Sequence, residues 1–263
     1  MLFKRVSDLS LVPTEEKEFV TSEWDNSDKL YVIDLKTTSA DSVIFSKMEA
    51  SGLKVEDYYK VYVGIVGIVA KGIKQFLSNT KDTIYHKKYL QGKHIAPYQI
   101  IFKSVYINFI PELLHSNTDQ FVYEQKEKIL VRKTGNILMA SLDSEQYYTD
   151  QSLYNLYLKP NKWYSNKVLL AILNSKLLNY YYNKKLITNA DVFPYIKGVH
   201  LKMFPLPHLS DRIESELSNL VDSIIQHKKQ NIDTSVICNK IDTLVYQLYG
   251  LTDAEIKIIE QSI

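Results

Sequence analysis

Residues 241–256 read IDTLVYQLYGLTDAEI, and this stretch decides the fold of the C-terminal end. With Ile237 ahead of it, the run Ile241, Leu244, Val245 and Leu248 recurs at helical spacing and makes one apolar stripe. Gly250 fits the position just past a helix end, where the backbone turns left-handed. Thr252 and Glu255 form a capping box that opens another helix, with Leu251 and Ile256 spaced as a hydrophobic staple. Upstream, residues 209–229 set Ile213, Leu217, Leu220, Val221 and Ile224 on one face, with Ser210 as the expected N-cap. A polar break at 230–233 separates the two stripes, so an antiparallel helix pair followed by a short helix is expected. Residues 168–182 predict one more helix, apolar nearly all round at its start and therefore buried there.

Before residue 165 the pattern changes. Residues 30–36, 42–45, 59–70, 98–102, 129–132, 137–142 and 153–158 are short and rich in β-branched or aromatic side chains. Gly, Asn, Asp or Pro punctuate them, which predicts irregular strands joined by long loops. Pro205 and Pro207 interrupt regular structure ahead of the helices. The sequence thus predicts an α+β protein: a lead-in over 1–60 packing on the body, an irregular β-rich body over 61–207, and a C-terminal helical hairpin or bundle over 208–263.

A hydrophobic share of 45% across 263 residues supports a real core. The single cysteine, Cys238, permits neither an internal disulfide nor a cysteine-type zinc site, which fits a reducing, cytoplasmic setting. Residues 1–10 carry Lys4, Arg5 and Asp8 and lack the apolar run of a signal peptide. The apolar run at 61–70 is too short to cross a bilayer.

The formal net charge is only +2, yet the positive charge is concentrated. Residues 71–103 hold seven lysines against one acid, Asp82, while residues 1–60 hold twelve acids and eight bases. Phe76, Tyr85, Tyr89, Tyr98 and Phe102 interleave the lysines. A local basic field with flat side chains suits a polyanion with stackable bases. The same pattern also reads as a solvated lysine face.

Catalytic patterns are absent from the sequence. It has no dinucleotide or Walker glycine loop, no His-Glu-x-x-His and no Gly-x-Ser-x-Gly. The six histidines show no metal-ligand spacing. Asp34-Leu35-Lys36 could be half of a metal-dependent nuclease site, but a second carboxylate at proper spacing is missing.

Six segments, taken in order, resemble one family: 62–76 (YVGIVGIVAKGIKQF), 89–98 (YLQGKHIAPY), 128–135 (KILVRKTG) with 140–156 behind it, 169–182 (LLAILNSKLLNYYY), 193–207 with its FPLP turn, and 241–256. Together they resemble the TaqI-like C-terminal specificity domain of type II restriction-modification adenine methyltransferases, including fused type IIG enzymes, over about residues 60–260. Family members tend to show Arg-Gly-[Arg/Lys]-Asp-Ile where this chain has Gln91-Gly92-Lys93-His94-Ile95. A Thr-Gly turn is replaced by Ala70-Lys71-Gly72 at a shifted spacing.

The resemblance implies a target-recognition body that grips double-stranded DNA and has no catalytic centre or metal of its own. An N-terminal methyltransferase or endonuclease domain, or a separate subunit, would do the chemistry and would hold S-adenosylmethionine. In keeping with that, this chain has no Asn-Pro-Pro-Tyr loop and no glycine-rich methionine-cofactor loop. A rival reading makes it a docking module with incidental DNA contact.

The candidate DNA contacts are Lys71, Lys74, Gln91, Lys93, His94, Arg132, Lys133, Asn136 and Tyr148. Lysines neutralise phosphates, arginine suits guanine, and the amides of Gln91, Asn136 and Gln146 suit adenine. Lys93 and His94 fit either a loop reaching the DNA or a polar turn set by Gly92. Arg132 and Lys133 fit a hairpin tip or a plain exposed turn. Tyr147 and Tyr148 fit stacking or core packing.

Overall fold

A computed structural model describes residues 2–6, 13–18, 37–67, 72–186 and 195–262. The expected strand at 30–36, and with it Asp34 and Lys36, lies outside them. The chain divides into two units, 1–39 and 40–263. In the first, β1 (Leu2–Val6) and β2 (Pro13–Glu18) pair antiparallel. The expected limits at 60/61 and 207/208 both fall inside the second unit.

That unit runs α1 (Ser39–Glu49), β3 (Leu53–Lys54), α2 (Val55–Tyr58), β4 (Tyr59–Val63), β5 (Leu77–Ser78), β6 (His86–Leu90), β7 (Ile95–Ala96), β8 (Gln99–Ile100) and β9 (Tyr106–Asn108). Then come α3 (Gln120–Tyr123), β10 (Lys128–Arg132), β11 (Ala140–Asp143), β12 (Tyr148–Thr149) and β13 (Leu153–Leu158). Helices close it: α4 (Asn166–Asn174), α5 (Lys176–Tyr181) and α6 (Gly198–Met203), then β14 (Pro205–Leu206), α7 (Asp211–Lys229), α8 (Ser235–Leu248) and α9 (Asp253–Glu260). The fold is α+β, as the sequence predicts.

One antiparallel sheet, ordered β11-β10-β13-β4, forms the spine. Strand side chains alternate between faces, and both faces of β10 are covered. Ile129 and Val131 join the main core with the helices, while Leu130 joins Leu90, Ile95, Tyr147 and Leu153 on the other side. A second sheet, ordered β12-β6-β9-β5, encloses its own small core around Ile65, Tyr89, Ile107 and Tyr148. The two sheets meet where Gly64 follows β4. A Cβ on Gly64 would sit 2.1 Å from the carbonyl oxygen of Asp150, so only glycine fits there.

Residues 42–45, expected as a strand, lie within α1. Ile44, Phe45 and Met48 are buried at helical spacing against the main core, and that packing overrides the β-branched preference of Val43 and Ile44. The expected single helix at 168–182 is two, α4 and α5, with extended backbone at Ser175 between them. The Ser175 hydroxyl donates to Ile172 O (2.7 Å) and accepts from Leu178 N (3.2 Å), competing with the helical ladder. Residues 168–173 are all buried, as their apolar run requires.

At the C-terminal end, Leu217, Val221, Ile224, Ile241, Val245 and Ile259 enter the same core as the spine sheet. Ser210 stands at the N-cap of α7 but makes no hydroxyl cap bond. The end of α8 is a Schellman turn: Leu251 N donates to Tyr246 O (3.1 Å), Gly250 N donates to Gln247 O (3.0 Å), and Gly250 sits at φ +64°. The capping box of α9 is present, with Glu255 Oε2 accepting from Thr252 N at 2.7 Å and Thr252 Oγ1 accepting from Glu255 N at 3.4 Å. Lys47 of α1 reaches both Glu255 Oε2 (2.8 Å) and Gly250 O (3.1 Å).

Asp242 of α8 is buried and accepts from Lys176 N at 2.9 Å, capping α5. Burial pushes its carboxyl up to about 6, against the pull of Lys176. A raised native pKa means the folded chain holds a proton that the unfolded chain gives up near its lower value. Its contribution is therefore complete below about pH 4 and is lost as the pH climbs through about 6, by up to about 3 kcal/mol. Asp242→Asn, which keeps the cap oxygen, should flatten urea-unfolding stability between those two pH values. An unchanged slope would place the titration elsewhere.

Candidate nucleic-acid interface

Four loops meet at one edge of the second unit. Gly92 N, in the turn after β6, donates to Ser152 Oγ at 2.7 Å. Lys133 N, just past β10, donates to Ser152 O at 2.9 Å, and Lys133 O accepts from Ile196 N at 2.8 Å. Tyr154 OH also donates to Ile196 O at 3.1 Å. This stitching brings Gln91, Lys93, Arg132 and Lys133 together from segments some forty residues apart, beside a half-exposed Tyr195.

Arg132 is half-buried, and its guanidinium has no acidic partner among the described residues. One terminal nitrogen contacts the Met139 sulfur at 3.7 Å, while Nε is buried without any acceptor. A thioether is a weak acceptor, so most of this cation's hydrogen-bonding capacity is unspent. Lys133 lies 6.0 Å over the Tyr154 ring. Asn136 is exposed beside Gly135, whose φ of +131° turns the hairpin tip.

Gln91 Nε2 donates to Asp150 Oδ2 at 3.2 Å. His94 is 6% exposed and its Nδ1 accepts from Gln91 N at 3.1 Å, so it fixes the turn and is not free to reach a base edge. Burial first, then Lys93 and Lys103 nearby, hold its pKa below the usual imidazole value against the opposing pull of Asp150. Lys93 is exposed.

Lys74 and Tyr148 lie apart from this edge. Lys74 is exposed in a short turn beside β5, at the far side of the second sheet. Lys71 lies outside the described residues. Tyr148 is a core residue: it is 1% exposed, stacks on Tyr123 (centroids 4.8 Å, 20°) and donates to Glu124 at 2.9 Å. Tyr147 is buried too.

The basic stretch is also not one free field. Lys87 pairs with Glu124 at 3.1 Å and Lys88 with Glu145 at 2.5 Å. Both acids come from sequence far beyond the lysines. Lys74, Lys81, Lys93 and Lys103 have no acidic partner among the described residues. A cleft of about 520 Å³ between the body and α7 holds Lys167, Lys228 and Lys229, but Glu127, Glu145 and Asp222 share it. That mixed lining does not suit a polyanion.

Asp150 and Ser152, which tie the edge together, were not singled out by the sequence reading. The signal was an Asp-x-Ser turn, in which a carboxylate accepts from the backbone two residues on. Among the described residues no three His, Cys, Asp or Glu side chains are placed to hold a metal, and no helix is long and apolar enough to cross a membrane.

Comparison with known proteins adds three findings. Residues 87–206 match the TaqI-like C-terminal specificity domain. A Methanocaldococcus jannaschii protein, named as a type II restriction enzyme and methyltransferase, is 29% identical over 194 residues, covering 70% of this chain and 16% of that protein. The type IIL restriction-modification enzyme MmeI, solved in complex with DNA, matches in fold with a TM-score of 0.53 at 9% identity, over 77% of this chain and 35% of that one. The chain therefore spans about a sixth of the first relative and a third of the second. From β6 to β14, residues 87–206 are similar to the TaqI-like C-terminal specificity domain family.

Proposed function

We propose that this chain is the target-recognition part of a restriction-modification enzyme and that it grips duplex DNA with the edge built from Gln91, Lys93, Arg132, Lys133 and Asn136. Arg132 carries the reading: an unspent, half-buried guanidinium at a loop junction is costly unless a ligand completes it. Guanine O6 and N7 accept in the fork geometry an arginine offers. Lys93 and Lys133 are placed to neutralise phosphates, which positions the chain without reading sequence. The methylation or cleavage step belongs to an N-terminal methyltransferase or endonuclease domain or subunit, where S-adenosylmethionine would bind. This chain is non-catalytic in that scheme, and the adenine-specific, type IIG assignment is part of the same proposal.

Binding of labelled duplexes at several salt concentrations tests it. Affinity should fall by about 0.9 log units per log unit of salt for each phosphate contacted. Arg132→Ala should cost about 1–3 kcal/mol and relax one base position, whereas Lys133→Ala should weaken all sequences alike and lower the salt slope by about 1. Flat salt dependence with no duplex preference would favour the docking role instead.

A further inference from the structure

The acceptor that Arg132 meets in the free chain bears on how strongly it can read a base, and the inference rests on the DNA-recognition reading above. Val131 pairs with Ala140 across β10 and β11, and just beyond that pair Arg132 N donates to Met139 O at 2.9 Å. Arg132 and Met139 are therefore opposite one another on one face of the ladder, with Cβ atoms about 4.5–5.5 Å apart. Backbone register sets the thioether beside the guanidinium. Both side chains are half-buried.

A guanidinium carries five N–H donors and no acceptor. Nε of Arg132 is buried without a partner, so a base cannot approach it from solvent. The fork left for a base edge is the end-on pair, Nη1 and Nη2. Met139 Sδ stands 3.7 Å from Nη1 and is the only acceptor this side chain meets among the described residues. A thioether is a weak acceptor, whereas an amide oxygen in its place would make a strong charge-assisted bond.

We propose that Met139 is a positioning residue: it holds Nη1 in the free chain through an acceptor weak enough to be displaced, and gives the fork up to guanine O6 and N7. The residue at position 139 thereby sets how strongly Arg132 discriminates its base. An acceptor of ordinary strength there would compete with guanine for the same nitrogen.

The test uses the full chain and a site selected from randomised duplexes. The guanine in question is the one whose replacement by 7-deazaguanine, which lacks the N7 acceptor, weakens the wild type but not Arg132→Ala. In Met139→Gln the preference for that guanine should fall about tenfold, with other positions unchanged. The urea midpoint of Met139→Gln should rise, because the amide completes a guanidinium that the wild type leaves unspent. Met139→Leu fills similar space without an acceptor, and its guanine preference should stay within about threefold of the wild type.

Equal losses in the two variants would reduce Met139 to packing, and an undiminished preference in Met139→Gln would refute the competition. Either result overturns the inference while leaving DNA recognition standing. A selected site in which no guanine depends on Arg132 overturns the reading of Arg132 itself, and a wild-type chain with no duplex preference overturns both. If Met139→Gln does not fold, Met139→Leu still decides: a tenfold loss there would show that the sulfur is not displaced by the base.

Discussion

Lys128→Met should lower unfolding stability by about 3–5 kcal/mol, a large part of the roughly 5–15 kcal/mol that holds a domain together. Lys128 and Asp143 are each fully buried and meet at 2.5 Å. Lys128 Nζ also donates to Tyr123 O at 2.6 Å, and Asp143 accepts from Glu145 N (2.8 Å) and Tyr147 N (3.0 Å). Burial drags the lysine pKa down and Asp143 opposes it. Removing the ammonium strands a carboxylate in the interior, which is the expensive way to break such a pair. Adding Asp143→Asn to Lys128→Met should recover part of the loss, because no charge is then left unpaired. Urea denaturation midpoints of the three proteins measure this. A loss under about 1 kcal/mol for the single change would mean that water reaches the pair.

Gly64→Ala is the second large effect. The new methyl would lie 2.1 Å from Asp150 O and 2.6 Å from Thr149 O, both backbone atoms that cannot swing aside. The chain must part there, weakening the bonds from Gly64 N to Leu153 O (3.0 Å) and from Ile65 N to Thr149 O (2.7 Å). A loss of about 3 kcal/mol or more is expected, at the top of the range for overpacking. Gly92→Ala is the useful contrast: its Cβ would come no nearer than 3.2 Å, to the Ser152 hydroxyl oxygen, so it should cost much less. Thermal melts of both variants check the order, and equal losses would refute the backbone clash.

The sequence made the helical end legible because its signals are local. The stripe at 241–248, Gly250 and the Thr252–Glu255 box each lie within one or two turns, and each is found in place. Ser42–Phe45 misled because a short β-branched run carries no information about which face the rest of the chain will cover. Ser175 broke a helix through one hydroxyl, a competition that periodicity does not register.

At the candidate interface, Gln91, Lys93, Arg132 and Lys133 were legible by residue type and turn context. Tyr148 was not, because its place depends on Tyr123 and Glu124, both some two dozen residues away. The neutralisation of Lys87 and Lys88 was hidden for the same reason: their acids, one at the end of α3 and one in the loop before β12, arrive by tertiary packing and not by neighbouring sequence.

The grip of Lys47 on Glu255 and Gly250 joins the opening helix of the second unit to its closing one. Two helices from opposite ends of the unit, 208 residues apart at this contact, are thereby held side by side. The clasp uses only atoms of α1, of the turn after α8 and of α9, so the loops between them contribute nothing to it.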